Sequence, residues 1–277
     1  MRRVIFNQKG GVGKSSITVN LAAISAARGK RTLVVDLDSQ SNATQYLLGE
    51  KATYGQHTPV LEPNIETFFD ELLNASQGKG LLGSALGSIL KSKERGLDAV
   101  IHGTPFANLF VIPSSPNLGA LEHALQSKHK IFKLRDALNE LDSQYDEVFI
   151  DTPPAFNFFT LSALIAADRV IIPFDCDVFS RRALLTLLEN VVEAKGDHNP
   201  QLEVEGIVVN QFQSQAKLPQ QVVQELKDEG LPVFNSMLPS SVVMKESHQK
   251  NQPLIHLNAE HKLTQAYVSL FDEITNA

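Results

Sequence analysis

Apolar positions along the chain follow two rhythms that take turns. Short continuous runs such as Thr32-Leu33-Val34-Val35 and Val148-Phe149-Ile150 alternate with longer stretches in which apolar residues recur every three or four positions. Unbroken β-branched and aromatic runs suit parallel strands covered on both faces, and the wider spacing suits helices packed by one face. The pattern predicts a first strand from Val4, a helix over 14–28 with Ile17, Leu21, Ile24 and Ala27 inward, and a break at Gly29. Strands follow at 32–35, 109–113, 147–150, 169–173, 204–210 and, briefly, 232–234. Helices are expected over 118–126, 130–141, from about 157, from about 180, 219–229 and 259–275. Strands alternating with helices mean a doubly wound, mostly parallel α/β sheet with right-handed crossovers and helices on both faces.

Residues 50–107 follow the pattern least. Ile65, Phe68, Phe69, Leu72 and Leu73 keep a helical period, but 76–96 is rich in glycine, serine and lysine. Gly78, Gly80, Gly83 and Gly87 oppose a long stable helix there, so this stretch is expected to be a peripheral insertion. With 277 residues, 43% of them apolar, the chain suits one large domain over 1–277.

The candidate chemistry sits where strands end. The first strand runs straight into Asn7-Gln8-Lys9-Gly10-Gly11-Val12-Gly13-Lys14-Ser15-Ser16. Glycines there let successive N–H groups converge on one anion, and the following helix points its positive end at the same place. Residues Gly10, Gly11, Val12, Gly13, Lys14, Ser15 and Ser16 are therefore expected to hold a nucleotide's phosphates, with Lys14 on the β- and γ-phosphates and Ser15 on Mg²⁺. Gln8 stands where the usual phosphate-loop pattern has a glycine, so the loop is a variant, and Lys9 adds a second lysine. Asp36 and Asp38 emerge at the end of the second strand, and Asp151, before Thr152-Pro153-Pro154, at the end of the strand at 147–150. Carboxyl ends of strands are where open α/β sheets bind ligands.

Lys9-Gly10-Gly11-Val12-Gly13-Lys14-Ser15 resembles the deviant Walker A box of the ParA/MinD ATPases. Asp36-Leu37-Asp38-Ser39-Gln40-Ser41-Asn42 is similar to that family's Asp-x-Asp-Pro-Gln-Gly-Asn, and Asp151-Thr152-Pro153-Pro154 to its second switch. The resemblance covers nearly the whole chain and points to the small ParA-type partition ATPases without an N-terminal helix-turn-helix domain. It implies that Lys9 crosses a dimer interface to the partner's nucleotide, that Asp38 activates the attacking water, and that Asp36 and Asp151 join Ser15 around Mg²⁺. Asn210, ending the strand at 204–210, resembles the asparagine that contacts adenine. The implied activity is a slow, partner-stimulated ATPase that uses ATP and Mg²⁺. The implied assembly is an ATP-dependent homodimer that binds non-specific DNA. A ParB-like or cargo-adaptor protein would stimulate it, so that a plasmid, chromosome locus or protein cluster is segregated or positioned.

Composition refines this picture. A net charge of −6 confines any nucleic-acid contact to a local patch. Many chromosomal relatives have Pro-Arg-Asn-Val-Arg near the C-terminus; here the segment reads Pro239-Ser240-Ser241-Val242-Val243, and Lys217, Lys245 and Lys250 are the nearby cations. One cysteine, Cys176, rules out an internal disulfide framework and fits a reducing compartment, so a cytoplasmic protein is expected, and the resemblance implies that it is nucleoid-associated. No apolar run reaches membrane-spanning length, and the last helix has an acidic outer face with Glu260, Asp272 and Glu273, which opposes a MinD-like membrane cycle. A metabolic ATP-dependent enzyme on the same scaffold is the other alternative; Lys9 and the Asp36–Asn42 segment favour partition.

Overall fold

The computed structural model describes residues 1–52, 61–74, 96–176 and 180–276. Seven strands form one sheet: β1 (Arg2–Ile5), β2 (Thr32–Asp36), β3 (His102–Gly103), β4 (Leu109–Ile112), β5 (Glu147–Asp151), β6 (Arg169–Asp175) and β7 (Glu203–Asn210). Their spatial order is β3-β4-β2-β5-β1-β6-β7, parallel throughout except for the short edge strand β3. The doubly wound, mostly parallel sheet expected from the alternation is therefore present.

Alternate residues of the central strands feed two separate cores. Val4, Leu33, Val35, Val148, Ile150 and Ile172 point to one face, while Ile5, Val34, Phe149, Ile171 and Val208 point to the other. The first face is covered by α3 (Ile65–Asn74), α4 (Glu122–Ser127), α5 (Lys133–Asn139), α6 (Phe158–Ala166) and α7 (Ser180–Asp197). On the second lie α1 (Lys14–Ala27), α2 (Asn42–Leu48), α9 (Val242–Gln249), α10 (Leu254–Leu257) and α11 (Lys262–Thr275). Helix α8 (Lys217–Asp228) packs Val223 and Leu226 under β7 on the first face. With both faces buried, β2, β4 and β5 read as nearly continuous apolar runs, which is why periodicity located them.

Some elements differ from the sequence pattern. The expected strand at 232–234 reduces to one parallel bridge between Val233 and Ile207. Pro232 has no N–H to donate. The Phe234 ring lies so close to Gly206 that a Cβ there would sit 2.4 Å from it. The helix expected over 118–126 opens as a 3₁₀ turn at Leu118–Leu121, and α5 is shorter than 130–141. Helices α2, α9 and α10 and strand β3 were not apparent in the pattern, because each is short and buries only a few apolar residues. The expected insertion at 76–96 lies outside the described residues apart from Gly96.

The amino ends of the strands are closed by charge. Arg3, 4% exposed, donates from Nε to Glu205 Oε2 at 2.8 Å and pairs with Glu147, itself 3% exposed. Lys30 reaches the other Glu147 oxygen at 2.9 Å. Arg2 donates its backbone N–H to Asp168 at 2.7 Å and its guanidinium to Asp142 at 2.6 Å. Removing one partner of a buried pair leaves the other charge uncompensated, at a cost of roughly 3–5 kcal/mol. Lys30 remains beside Glu147, so Arg3→Ala is expected to cost about 3 kcal/mol, the lower end of that range. Urea unfolding would read this as an earlier midpoint at unchanged slope; an unmoved midpoint would show that the pairs contribute no net stability.

Candidate active site

The carboxyl ends of β1, β2 and β5 bring the candidate groups together. β1 leads into the loop 7–13, which is pinned from both sides. Asn7 Nδ2 donates to Pro173 O at 2.6 Å and Asn7 Oδ1 accepts from Lys9 N at 2.8 Å. From the end of β7, Asn210 Nδ2 donates to Val12 O at 2.9 Å and Gln211 Nε2 to Gly11 O at 3.2 Å. Gly13 has φ +93°, and a Cβ there would meet Asn210 Nδ2 at 2.2 Å. Backbone conformation and close approach thus both require glycine at this position. From Lys14 the chain continues as α1, whose first turn carries Ser15 and Ser16.

Lys14, 7% exposed, donates to Lys9 O at 3.1 Å. Burial pushes its pKa below the ordinary lysine value, against the pull of Asp151 and Asp38. Asp36 and Asp151 are register partners on the adjacent strands β2 and β5, and both are fully buried. Asp36 accepts from Thr44 N at 2.8 Å, Thr44 Oγ1 at 2.6 Å and Asp38 N at 3.1 Å. Burial nevertheless raises its pKa to about 7. Asp151 is raised well above the ordinary carboxylate range, first by burial and then by the Asp36 charge, while a hydrogen bond from Ser15 opposes the shift. Asp38, 6% exposed, holds Gln40 N at 3.0 Å, and burial also raises its pKa.

These groups face a cavity of about 540 Å³ lined by Gly10, Gly11, Lys14, Ser15, Asp38 and Pro154. Gln45, Tyr46, His248 and Asn251 line it as well. That volume suits a nucleotide-sized ligand. The donor set also fits Mg²⁺, since Asp151 Oδ2 is buried without a hydrogen-bond partner in the same neighbourhood as the Ser15 hydroxyl. Among the described residues no group of three or more His, Cys, Asp or Glu forms a metal cage. Mg²⁺ itself is commonly held by one or two protein ligands, completed by phosphates and water.

The other candidates are more dispersed. Lys9 Nζ lies 3.5 Å from Asp175 Oδ2 in a half-exposed ion pair at the rim. Asn210 holds the loop backbone, as described. Lys217, Lys245 and Lys250 are exposed, on α8 and on or just after α9. Sequence reasoning missed Thr44, Tyr46, Gln211, His248 and Asn251. Only folding brings the last three, some 200 residues along the chain, to the loop and to α2, and no local motif marks them. Thr152, noted only as part of a turn, donates to Ile5 O at 2.7 Å and fixes that turn to β1.

A glycine loop after the first parallel strand, a lysine-led helix and strand-end aspartates on the neighbouring strands define a phosphate-loop nucleotide-binding protein. Residues 3–204 match the family model described as an AAA domain. The chain is 33% identical over 273 residues to the chromosome partitioning protein ParA of Myxococcus xanthus, covering 98% of this chain and 86% of that one. It is 30% identical over 272 residues to the sporulation initiation inhibitor protein Soj of Bacillus subtilis, covering 98% and 96%. Among solved structures, the ATP complex of Cyanothece McdA superposes with a TM-score of 0.78 at 19% identity, covering 99% and 96%. The chain belongs to the ParA/Soj family of phosphate-loop partition ATPases.

A pH dependence follows from Asp36 and Asp151. A carboxyl whose folded pKa lies above its unfolded value binds a proton that the unfolded chain releases, so it stabilises at low pH and this contribution is lost as pH rises through about 7 for Asp36. In chelator the melting temperature is expected to be higher at pH 6 than at pH 8. Saturating Mg²⁺ and ADP, which require ionised carboxylates, should narrow that gap. A metal-free melting temperature that rises from pH 6 to pH 8 would overturn the assignment.

Proposed function

We propose that this chain binds Mg-ATP in the cavity beside the phosphate loop, closes into a nucleotide-sandwich dimer, and hydrolyses ATP slowly until a partner protein stimulates it. The observation that carries this reading is the split between the two lysines. Lys14 is buried against the chain's own carboxylates, whereas Lys9 projects at the rim in a half-exposed pair with Asp175. A surface pair of this kind is worth at most about 1 kcal/mol, so exchanging it for a phosphate on a second copy costs little.

In this reading the N–H groups from Gly10 to Ser16 cradle the phosphates, and Lys14 neutralises the β- and γ-oxygens. Mg²⁺, held by Ser15 and Asp151, supplies charge neutralisation at the β- and γ-phosphates when bound. Asp36 fixes the strand-end turn through Thr44, and Asp38, carried by that turn, orients the attacking water. Asn210, now on Val12 O, is the side chain offered to adenine. Lys9 of each copy approaches the other's nucleotide and acts as an arginine finger does, an effect worth roughly 10³–10⁵ in rate where such a group has been measured.

The ATP-bound dimer holds DNA without sequence preference through Lys217, Lys245 and Lys250, which are exposed on α8 and on or just after α9. A ParB-like or cargo-adaptor partner triggers hydrolysis and release, so that a plasmid, a chromosome locus or a protein cluster is moved over the nucleoid. Helix α11 packs on the body, with Asp272 paired to Arg28 and Glu273 accepting from Asn235 and Ser236, which supports this reading over membrane cycling; no described helix is long and apolar enough to cross a membrane.

Light scattering coupled to size exclusion tests the switch. Asp38→Ala is expected to be dimeric with ATP and monomeric with ADP, and Lys14→Gln to bind neither nucleotide. Lys9→Ala should bind ATP yet stay monomeric. In a DNA shift assay, the triple change Lys217→Ala, Lys245→Ala, Lys250→Ala should weaken binding by the Asp38→Ala dimer at least about tenfold, because phosphate contacts dominate non-specific affinity. An Asp38→Ala protein that turns over ATP at the parental rate would remove Asp38 from its role; a dimer that ignores DNA would remove the nucleoid track.

A further inference from the structure

Part of the cavity wall is built by residues that none of the motifs contains. His248, on the last turn of α9, places Nε2 2.9 Å from Ser16 Oγ in the first turn of α1. Its ring stands edge-on to Tyr46 of α2, with centroids 4.8 Å apart and planes at 88°. Tyr46 is itself fixed. Its hydroxyl accepts from Asn20 Nδ2 at 3.2 Å and makes a short hydrogen bond to Ser247, and Ser247 Oγ donates to Gln252 O at 2.5 Å. The other end of Asn20 accepts from Leu254 N at 2.8 Å. His248 is therefore held at a set distance from the phosphate-binding helix by three elements, while its ring stays open to the cavity.

We propose that His248 is a nucleotide-contacting residue that, with the Ser16 hydroxyl, grips the phosphate nearest the nucleoside and reports its presence to α9. Lys14 and Ser15 serve the β- and γ-phosphates, so the remaining phosphate passes the next residue of α1, Ser16. There the helix's first N–H groups already face an anion. Ser16 and His248 satisfy each other. A phosphate oxygen entering between them takes hydrogen bonds from both, and the direct bond that ties α9 to α1 is exchanged for one through the ligand. Hydrogen bonds to a charged phosphate are the stronger kind, so one such contact corresponds to roughly ten- to hundredfold in affinity. The exposed lysines of this region, Lys245 and Lys250, sit on or just after α9.

This inference rests on nucleotide binding at the phosphate loop, and the test separates the two. ADP with Mg²⁺ is titrated calorimetrically into the full chain and into His248→Ala, His248→Leu, which keeps the apolar contact with Tyr46, and His248→Gln, whose amide nitrogen can take the place of Nε2. The Ala and Leu proteins are expected to bind ADP about tenfold or more weakly, and the Gln protein to recover to within about threefold of the parent. Hydrogen exchange across Val242–Gln249 should change on adding ADP to the parent and to His248→Gln, and not to His248→Leu. Should the Ala protein fail to fold, the Leu protein decides. Binding by His248→Leu within twofold of the parent, or a Gln protein as weak as the Leu one, overturns the role of His248. A parent chain that binds no ADP overturns the nucleotide reading itself.

Discussion

Two carboxylates on neighbouring strands, directly across from each other and sealed from water, set the terms for this end of the molecule. Asp36 and Asp151 are register partners with no exposed surface, so burial disfavours the charge on each. The fold surrounds them with what stabilises negative charge. Thr44 bonds Asp36 through both N–H and hydroxyl, Ser15 bonds Asp151, and Lys14 lies near enough for its charge to act on Asp151 and Asp38. What the protein does not supply is a full counter-charge. A divalent cation carried by a phosphate chain does, and a site of this kind is stabilised by its own ligand.

That tension is tolerable because the opposite end of the same sheet is closed. Arg2 and Arg3 begin β1 and tie it to Asp142, Asp168, Glu147 and Glu205, while the other end of β1 opens into the phosphate loop. Two apolar cores, one on each face, keep the strands in register between these charged ends. The loop is then steadied from β6 and β7 by Pro173, Asn210 and Gln211, so its backbone donors are aimed before any ligand arrives. Preorganised donors are what make a phosphate site effective.

Contacts with α9 show the other side of the same design. A short helix that follows Pro239 and is capped by Ser241 lies against α1 and α2 through Tyr46, Ser247 and His248, all polar. Polar contacts of this kind fix geometry more than they add stability, and they rearrange more readily than an apolar core. The part of the molecule that carries Lys245 and Lys250 thus meets α1 and α2 through hydrogen bonds as well as through the apolar packing of Val243 and Met244.

Much of this was legible in the sequence because it is local. Gly10 to Ser16 must be a loop before a helix, the apolar runs must be buried parallel strands, and Asp36, Asp38 and Asp151 must emerge at their ends; each follows from spacing within a few residues. The resemblance of these segments to one ATPase family also came from the sequence, and the comparisons show that the chain belongs to it. Tertiary structure alone decided the rest. That Asp36 faces Asp151 depends on β2 lying beside β5, that Asn210 reaches Val12 depends on β7 closing the sheet edge past β6, and that His248 meets Ser16 spans 232 residues. Periodicity and motif spacing encode which face of an element is buried and what chemistry ends it, whereas side chains on different elements meet only once packing has set the distance between them.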